Sequence, residues 1–158
     1  MTTVPKVDYA AIKVLVIDDE SHTRSIIRSQ LHLLGVREIA EAGDGKQGLV
    51  QTLRIKPHII FCDIHMAPVS GLEFLVGLRS LKMDGVKDLP VIFLTADAKS
   101  DTVIFAKEHK VDGYLVKPVA AAQLKAHIDA MVEKGGIKLD PTSPPPPTGG
   151  HYTFPKRD

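Results

Sequence analysis

Five short apolar runs, separated by segments of helical period, constrain this chain more than any other feature. The runs are KVLVI (13–17), EIAEA (38–42), HIIFCD (58–63), LPVIFLTA (89–96) and GYLVK (113–117). Between the first two, Ile27, Leu31 and Leu34 recur at i, i+4 and i+7, and Gly35 supplies a helix stop. Leu49 and Leu53 mark a second helix that ends before Pro57. Gly71 opens a third, LEFLVGLRSL; Thr102 to His109 makes a fourth; and Leu124, Ile128 and Met131 stripe a fifth. Strands alternating with helices predict an α/β fold, a doubly wound five-stranded parallel sheet with right-handed crossovers and helices on both faces. The first and third runs are nearly all apolar, as central parallel strands buried on both faces should be.

The 158 residues suit one domain with room for a sizeable core, and a 44% hydrophobic content is that of a soluble globular protein. A formal net charge of +1 gives no bulk reason to bind nucleic acid or membrane. No apolar stretch approaches the ~18 residues of a membrane span. The opening MTTVPKVDYAAIK lacks an apolar signal core, so a cytoplasmic location is expected. Cys62 follows Ile59-Ile60-Phe61 and is expected to be a buried, inert thiol in a reducing compartment. Residues 1–10 read as an N-terminal extension. After Gly135-Gly136 the composition turns to Pro, Gly and Thr, with four consecutive prolines. Residues 135–158 therefore read as a flexible tail with a polyproline II bias. A docking segment anchored by Tyr152 and Phe154 is the alternative reading of that tail.

Chemistry concentrates at the ends of the runs. In an open α/β sheet, sites form outside the carboxyl ends of the strands. The first strand ends in Asp18 and Asp19, the third in Asp63, the fourth in Thr95 and the fifth in Lys117. Each alone has an ordinary explanation as a turn residue, a cap, a β-branched strand residue or a solvated charge. Together they bring three carboxylates, a hydroxyl and an ammonium to one edge. Adjacent acids there are tolerable if they share a divalent cation, and a hard cation with oxygen ligands that is only partly enclosed by protein fits Mg²⁺ best. A carboxylate in such a place can act as a nucleophile on phosphorus, with Lys117 and Thr95 offsetting charge on the transferring group.

The segments VLVIDDES, EAGDGKQGL, DIHMAPVSGLEFL, VIFLTA and GYLVKP stand at the spacing of a response-regulator receiver domain. The chain resembles that family, the module of two-component signalling found in chemotaxis regulators, over about residues 11–134. The resemblance implies the flavodoxin-like strand order 2-1-3-4-5. It implies that Asp63 is the phosphoacceptor, taking its phosphoryl group from a phosphohistidine on a sensor histidine kinase or a histidine phosphotransfer protein. Asp19, Asp63 and the backbone carbonyl of His65 would ligate Mg²⁺, with Asp18 acting largely through water. Lys117 would pair with the phosphoryl group, Thr95 would be the switch hydroxyl, and Tyr114 would be the aromatic that rotates with it. The output surface would be the fourth helix, fifth strand and fifth helix, with Phe105 either on it or in the core. Lys117-Pro118 would be a cis peptide. His65 and Asp97 would flank the path of the water that hydrolyses the acyl phosphate and so tune its lifetime.

Three positions depart from the family pattern. Ala67 stands four residues after Asp63, where proline is usual, and Pro68 follows, so the loop is expected to take a different path. His65 occupies a position that varies in the family. Lys110 stands where glycine commonly ends the fourth helix, so strain or early unwinding is expected there. A phosphatase of the haloacid-dehalogenase type would need a second Asp two residues after the nucleophile, where this chain has His65. Flavin phosphate would be repelled by Asp18, Asp19 and Glu20. A receiver fold kept only for unphosphorylated interactions would not need the complete acid, Thr and Lys set. The 25 residues that follow Glu133 are too few for a DNA-binding domain with its own core. The expected output is therefore through an unknown downstream protein partner, without direct DNA or membrane binding.

Overall fold

The structure, a computed structural model, describes residues 7–96 and 108–139. Asp97, Phe105, the tail beyond residue 139 and nearly all of the fourth helical segment expected at 102–109 lie outside them. A 3-10 turn at Tyr9–Ala11 leads into β1 (Lys13–Ile17). Then follow α1 (Ser21–Leu34), β2 (Glu38–Ala42), α2 (Gly45–Ile55), β3 (Ile59–Asp63), α3 (Gly71–Ser80), β4 (Val91–Thr95), β5 (Gly113–Val116) and α4 (Ala121–Glu133).

All strand pairs are parallel, in the order β2-β1-β3-β4-β5. Successive side chains of a strand point to opposite faces, and the core divides accordingly. Val14, Val16, Phe61, Ile92 and Leu94 pack with Ile27 and Leu31 of α1 and with Leu124 and Ile128 of α4. Leu15, Ile17, Ile60, Cys62 and Phe93 pack on the other face with Phe74, Leu75 and Leu78 of α3, and Leu49 of α2 joins them. The doubly wound arrangement follows from this division. The strands bury both alternations, so helices must cover both sides.

Local chemistry sets the helix ends. Gly35 takes φ 107 at the end of α1. Asp44 accepts from the Gln47 backbone N–H at the start of α2, and Ser70 and Glu73 form a reciprocal capping box at the start of α3. Lys110 adopts φ 64, the left-handed backbone expected of a position that glycine usually fills. Lys117-Pro118 is cis, and so is Ala67-Pro68.

The pole opposite the strand C-termini is tied by side chains. Arg79 donates from Nη1 to the carbonyls of Lys87 (2.9 Å) and Leu89 (2.8 Å), and from Nη2 to Lys110 O (2.9 Å) and Asp112 Oδ2 (3.1 Å). His58 Nδ1 accepts from the Lys13 N–H at 2.9 Å, where β1 begins. Packing continues past residue 134: Ile137 is buried and its N–H reaches Met131 O at 3.1 Å. Val7 and Tyr9 pack against the same cluster from the N-terminal side.

Candidate functional site

The register assembles the site. Ile17 pairs with Cys62, so Asp18 and Asp63 follow at one level; Asp63 pairs with Leu94, which lifts Thr95 one step, and Thr95 pairs with Val116, which lifts Lys117 one step more. Four buried polar side chains are found among the described residues, and Asp18, Asp63 and Thr95 are three of them. Buried polar groups gathered at one strand edge demand partners.

Asp18 is fully buried and held from every side. Its N–H donates to Ala42 O (3.0 Å), continuing the β1–β2 ladder. Its Oδ1 accepts from the Glu20 N–H (2.9 Å), and its Oδ2 accepts from Lys117 Nζ (2.9 Å). Lys117 Nζ also lies 3.4 Å from Asp63 Oδ2, and the His65 N–H donates to Asp63 Oδ1 at 3.4 Å. Asp63 ends β3 with its carboxyl pushed above the usual range, first by burial and then by the charge of Asp18; Lys117 opposes both. For Lys117 burial works against the charged form, but the hydrogen bond to Asp18 and the nearby Asp63 outweigh it, so its pKa is raised. The Cys62 thiol is pushed well up by complete burial beside Asp63 and Asp18, which keeps it un-ionised.

One oxygen each of Asp18, Asp19 and Asp63 lies within 4.8 Å of the others. A hard divalent cation takes such a set: all-oxygen donors, excess negative charge that one ammonium does not balance, and an exposed Asp19 that leaves room for water. Of the other residues singled out from sequence, Thr95 is buried at the end of β4 and its carbonyl accepts from the Lys117 N–H at 2.8 Å. His65 is exposed beside Asp63, and Tyr114 is half-buried against the α2–α3 core. Asp97 lies outside the described residues.

The loop after Asp63 folds back tightly. The Gly71 N–H reaches Ile64 O at 2.9 Å, and a Cβ on Gly71 would stand 2.1 Å from Asp63 O. The sequence reading passed over Arg24 and Glu41. Arg24 Nη1 donates to Asp18 O, and its Nε donates to Glu41 Oε1 at 3.1 Å. Glu41 accepts from Arg28 Nη1 through its other oxygen at 3.0 Å. The legible signal was a cation one turn into α1, where the helix dipole favours an acid.

Residues 14–129 match the family described as the response regulator receiver domain. The chain is 36% identical over 123 residues to the chemotaxis protein CheY of Pseudomonas aeruginosa, covering 78% of this chain and 98% of that one. It is 34% identical over 123 residues to chemotaxis protein CheY-3 of Vibrio cholerae serotype O1, covering 78% and 93%. The receiver domain of a sensor histidine kinase from Pseudomonas aeruginosa PAO1, with a magnesium ion coordinated in its active-site cleft, matches with a TM-score of 0.70 at 23% identity. That match covers 78% of this chain and 98% of the other, and it speaks to the fold. The sheet order, the two helical layers and the sequence match agree: this chain belongs to the response regulator receiver domain family.

Proposed function

We propose that Asp63 is the phosphoacceptor of a two-component or phosphorelay pathway. The observation that carries this reading is the placement of a buried carboxylate between Lys117 and two further acids at the strand edge. A carboxylate oxygen of Asp63 attacks phosphorus, the P–N bond to a phosphohistidine donor breaks, and the leaving imidazole takes up a proton. Lys117 moves its charge from the carboxylates to the new phosphoryl oxygens, and the Thr95 hydroxyl donates to another. Asp19, Asp63 and the His65 carbonyl would hold Mg²⁺, with Asp18 acting mainly through water. When bound, Mg²⁺ supplies positive charge that offsets repulsion between the acids and the incoming phosphate.

The donor is a sensor histidine kinase or a histidine phosphotransfer protein. Drawing Thr95 toward the phosphoryl group frees space for Tyr114 to pack inward, which biases the face around β5 and α4 between two states. A downstream protein reads that face. His65 beside Asp63 shields phosphorus from water, with Asp97 as the second flanking group.

Incubation with radiolabelled acetyl phosphate, or with a phosphorylated kinase, tests the reading. The wild type labels in Mg²⁺ and loses labelling in chelator; Asp63→Asn does not label. Full labelling of Asp63→Asn overturns the assignment.

A further inference from the structure

We infer that Arg24 is a positioning residue for the cation site, acting through the main chain of Asp18. The inference rests on the reading of Asp18, Asp19 and Asp63 as that site.

Asp19 is exposed, and among the described residues its carboxylate makes no hydrogen bond or ion pair. What aims it at its neighbours is the backbone. The peptide linking Asp18 to Asp19 presents its carbonyl, Asp18 O, to Arg24 Nη1. The preceding peptide is fixed by the Asp18 N–H to Ala42 O. Asp18 is thus held on both sides, and the direction in which residue 19 leaves β1 follows.

Arg24 is itself held. Its Nε donates to Glu41 Oε1, its own N–H donates to Glu20 O at 3.1 Å, and its side chain is 20% exposed. The guanidinium spans β2, the β1–α1 loop and α1 with two donors in a rigid plane, a geometry one ammonium cannot reproduce. Such a brace counters the mutual repulsion of three clustered carboxylates before any cation arrives. Outer groups that orient ligands in this way typically contribute about 10–100-fold to metal affinity.

The competing account is that Arg24 only joins α1 to β2. The two accounts differ in the sign of an effect on cation binding. Removing a positive charge near an acidic site tightens cation binding if charge alone acts, whereas removing a brace weakens it. The experiment is calorimetric titration of the full chain with Mg²⁺ or Mn²⁺, without any phosphodonor, alongside thermal melts. Arg24→Ala is expected to bind about 10-fold more weakly. Arg24→Lys keeps the charge but loses the fork, and is expected to bind several-fold more weakly with a cooperative melt; it decides the question if Arg24→Ala does not fold. The Asp19 amide resonance shifts in the cation-free Arg24→Lys protein. Unchanged affinity in Arg24→Lys, or tighter binding in Arg24→Ala, overturns the role of Arg24 while leaving the cation site standing. Absence of saturable binding by the wild type overturns both.

Discussion

Lys117 Nζ stands 2.9 Å from Asp18 Oδ2, joining the last strand to the first across 99 positions of sequence. Asp18 is wholly buried, so this ion pair is shielded from solvent on one side, and removing Lys117 alone would leave the Asp18 carboxylate uncompensated at a cost of about 3–5 kcal/mol. The same ammonium faces Asp63 at the longer distance of 3.4 Å. Lys117 is therefore anchored by Asp18 and available to Asp63, so the phosphoryl group proposed for Asp63 would meet a cation already in place.

Asp63 is held at a cost to the fold. Its carboxyl titrates above the usual range because burial and Asp18 outweigh Lys117. The folded state then binds this proton more tightly than the unfolded chain. The stabilising contribution is complete only below the ordinary carboxylate value, about 3.9, and is lost as pH rises through the raised value. Asp63→Asn is expected to melt above the wild type at pH 7 in chelator, with the gap closing in acid. Circular dichroism melts across pH 3–7 measure it, and a lower melting point for the Asn variant at pH 7 contradicts the account.

On the proposed reading, the exposed His65 ring slows loss of the phosphoryl group from Asp63. His65→Ala is expected to shorten the lifetime several-fold by opening the approach of water to phosphorus, with little change in Mg²⁺ affinity, because position 65 is proposed to contribute its carbonyl rather than its ring. Loss of label from purified phosphoprotein with time is the readout. A longer lifetime in the Ala variant would show that His65 assists the water instead.

Gly71 is required by space. A Cβ there would meet Asp63 O at 2.1 Å and Ile64 Cα at 2.9 Å, both backbone atoms that no rotamer change can clear. Gly71→Ala is expected to lose about 2–3 kcal/mol, read as a lower urea midpoint at unchanged slope. It is also expected to slow phosphoryl uptake on the proposed reading, because the carbonyl that must move belongs to Asp63. A midpoint equal to that of the wild type would refute the contact.

His58 gives the fold a pH dependence of its own. Its Nδ1 accepts from the Lys13 N–H, so the ring must be unprotonated on that nitrogen. Burial first, and Lys13 second, hold its pKa below the ordinary 6.5. The unfolded chain therefore takes up the proton more readily, and stability present above pH ~6.5 is lost as pH falls toward the depressed value. His127, lowered by burial and Lys134, adds in the same direction. His58→Asn keeps an acceptor without the titration, so its melting temperature should fall less steeply between pH 7 and pH 5. Identical slopes would remove His58 as a cause.

The strands and most helices were legible because each signal is local: apolar runs at β1 and β3, the Ile27–Leu31 stripe, and the Leu124–Ile128–Met131 stripe. The acids at the strand ends were legible because the sheet rule brings strand ends together whatever the details of packing. The brace on Asp18 was not, since Arg24 and Glu41 lie 17 positions apart and meet only once β2 is seated beside β1. The end of the packed domain also escaped. Gly135-Gly136 reads as a break in composition, yet Gly135 at φ 78 turns the chain so that Ile137 re-enters the core. Lys110 shows the opposite case, where a family pattern located the left-handed backbone that composition hides.

Arg79 has a consequence for covalent continuity. Lys82, Met83, Asp84 and Gly85 are all exposed, and a side chain at Gly85 would touch nothing within 4 Å. Beyond them the chain is caught again, because Arg79 on the near side grips the carbonyls of Lys87 and Leu89 on the far side. The peptide bonds between these grips carry little of the connection. That loop is the natural place to relocate the termini in a circular permutant, or to divide the protein into two fragments that find each other again through α3 and β4.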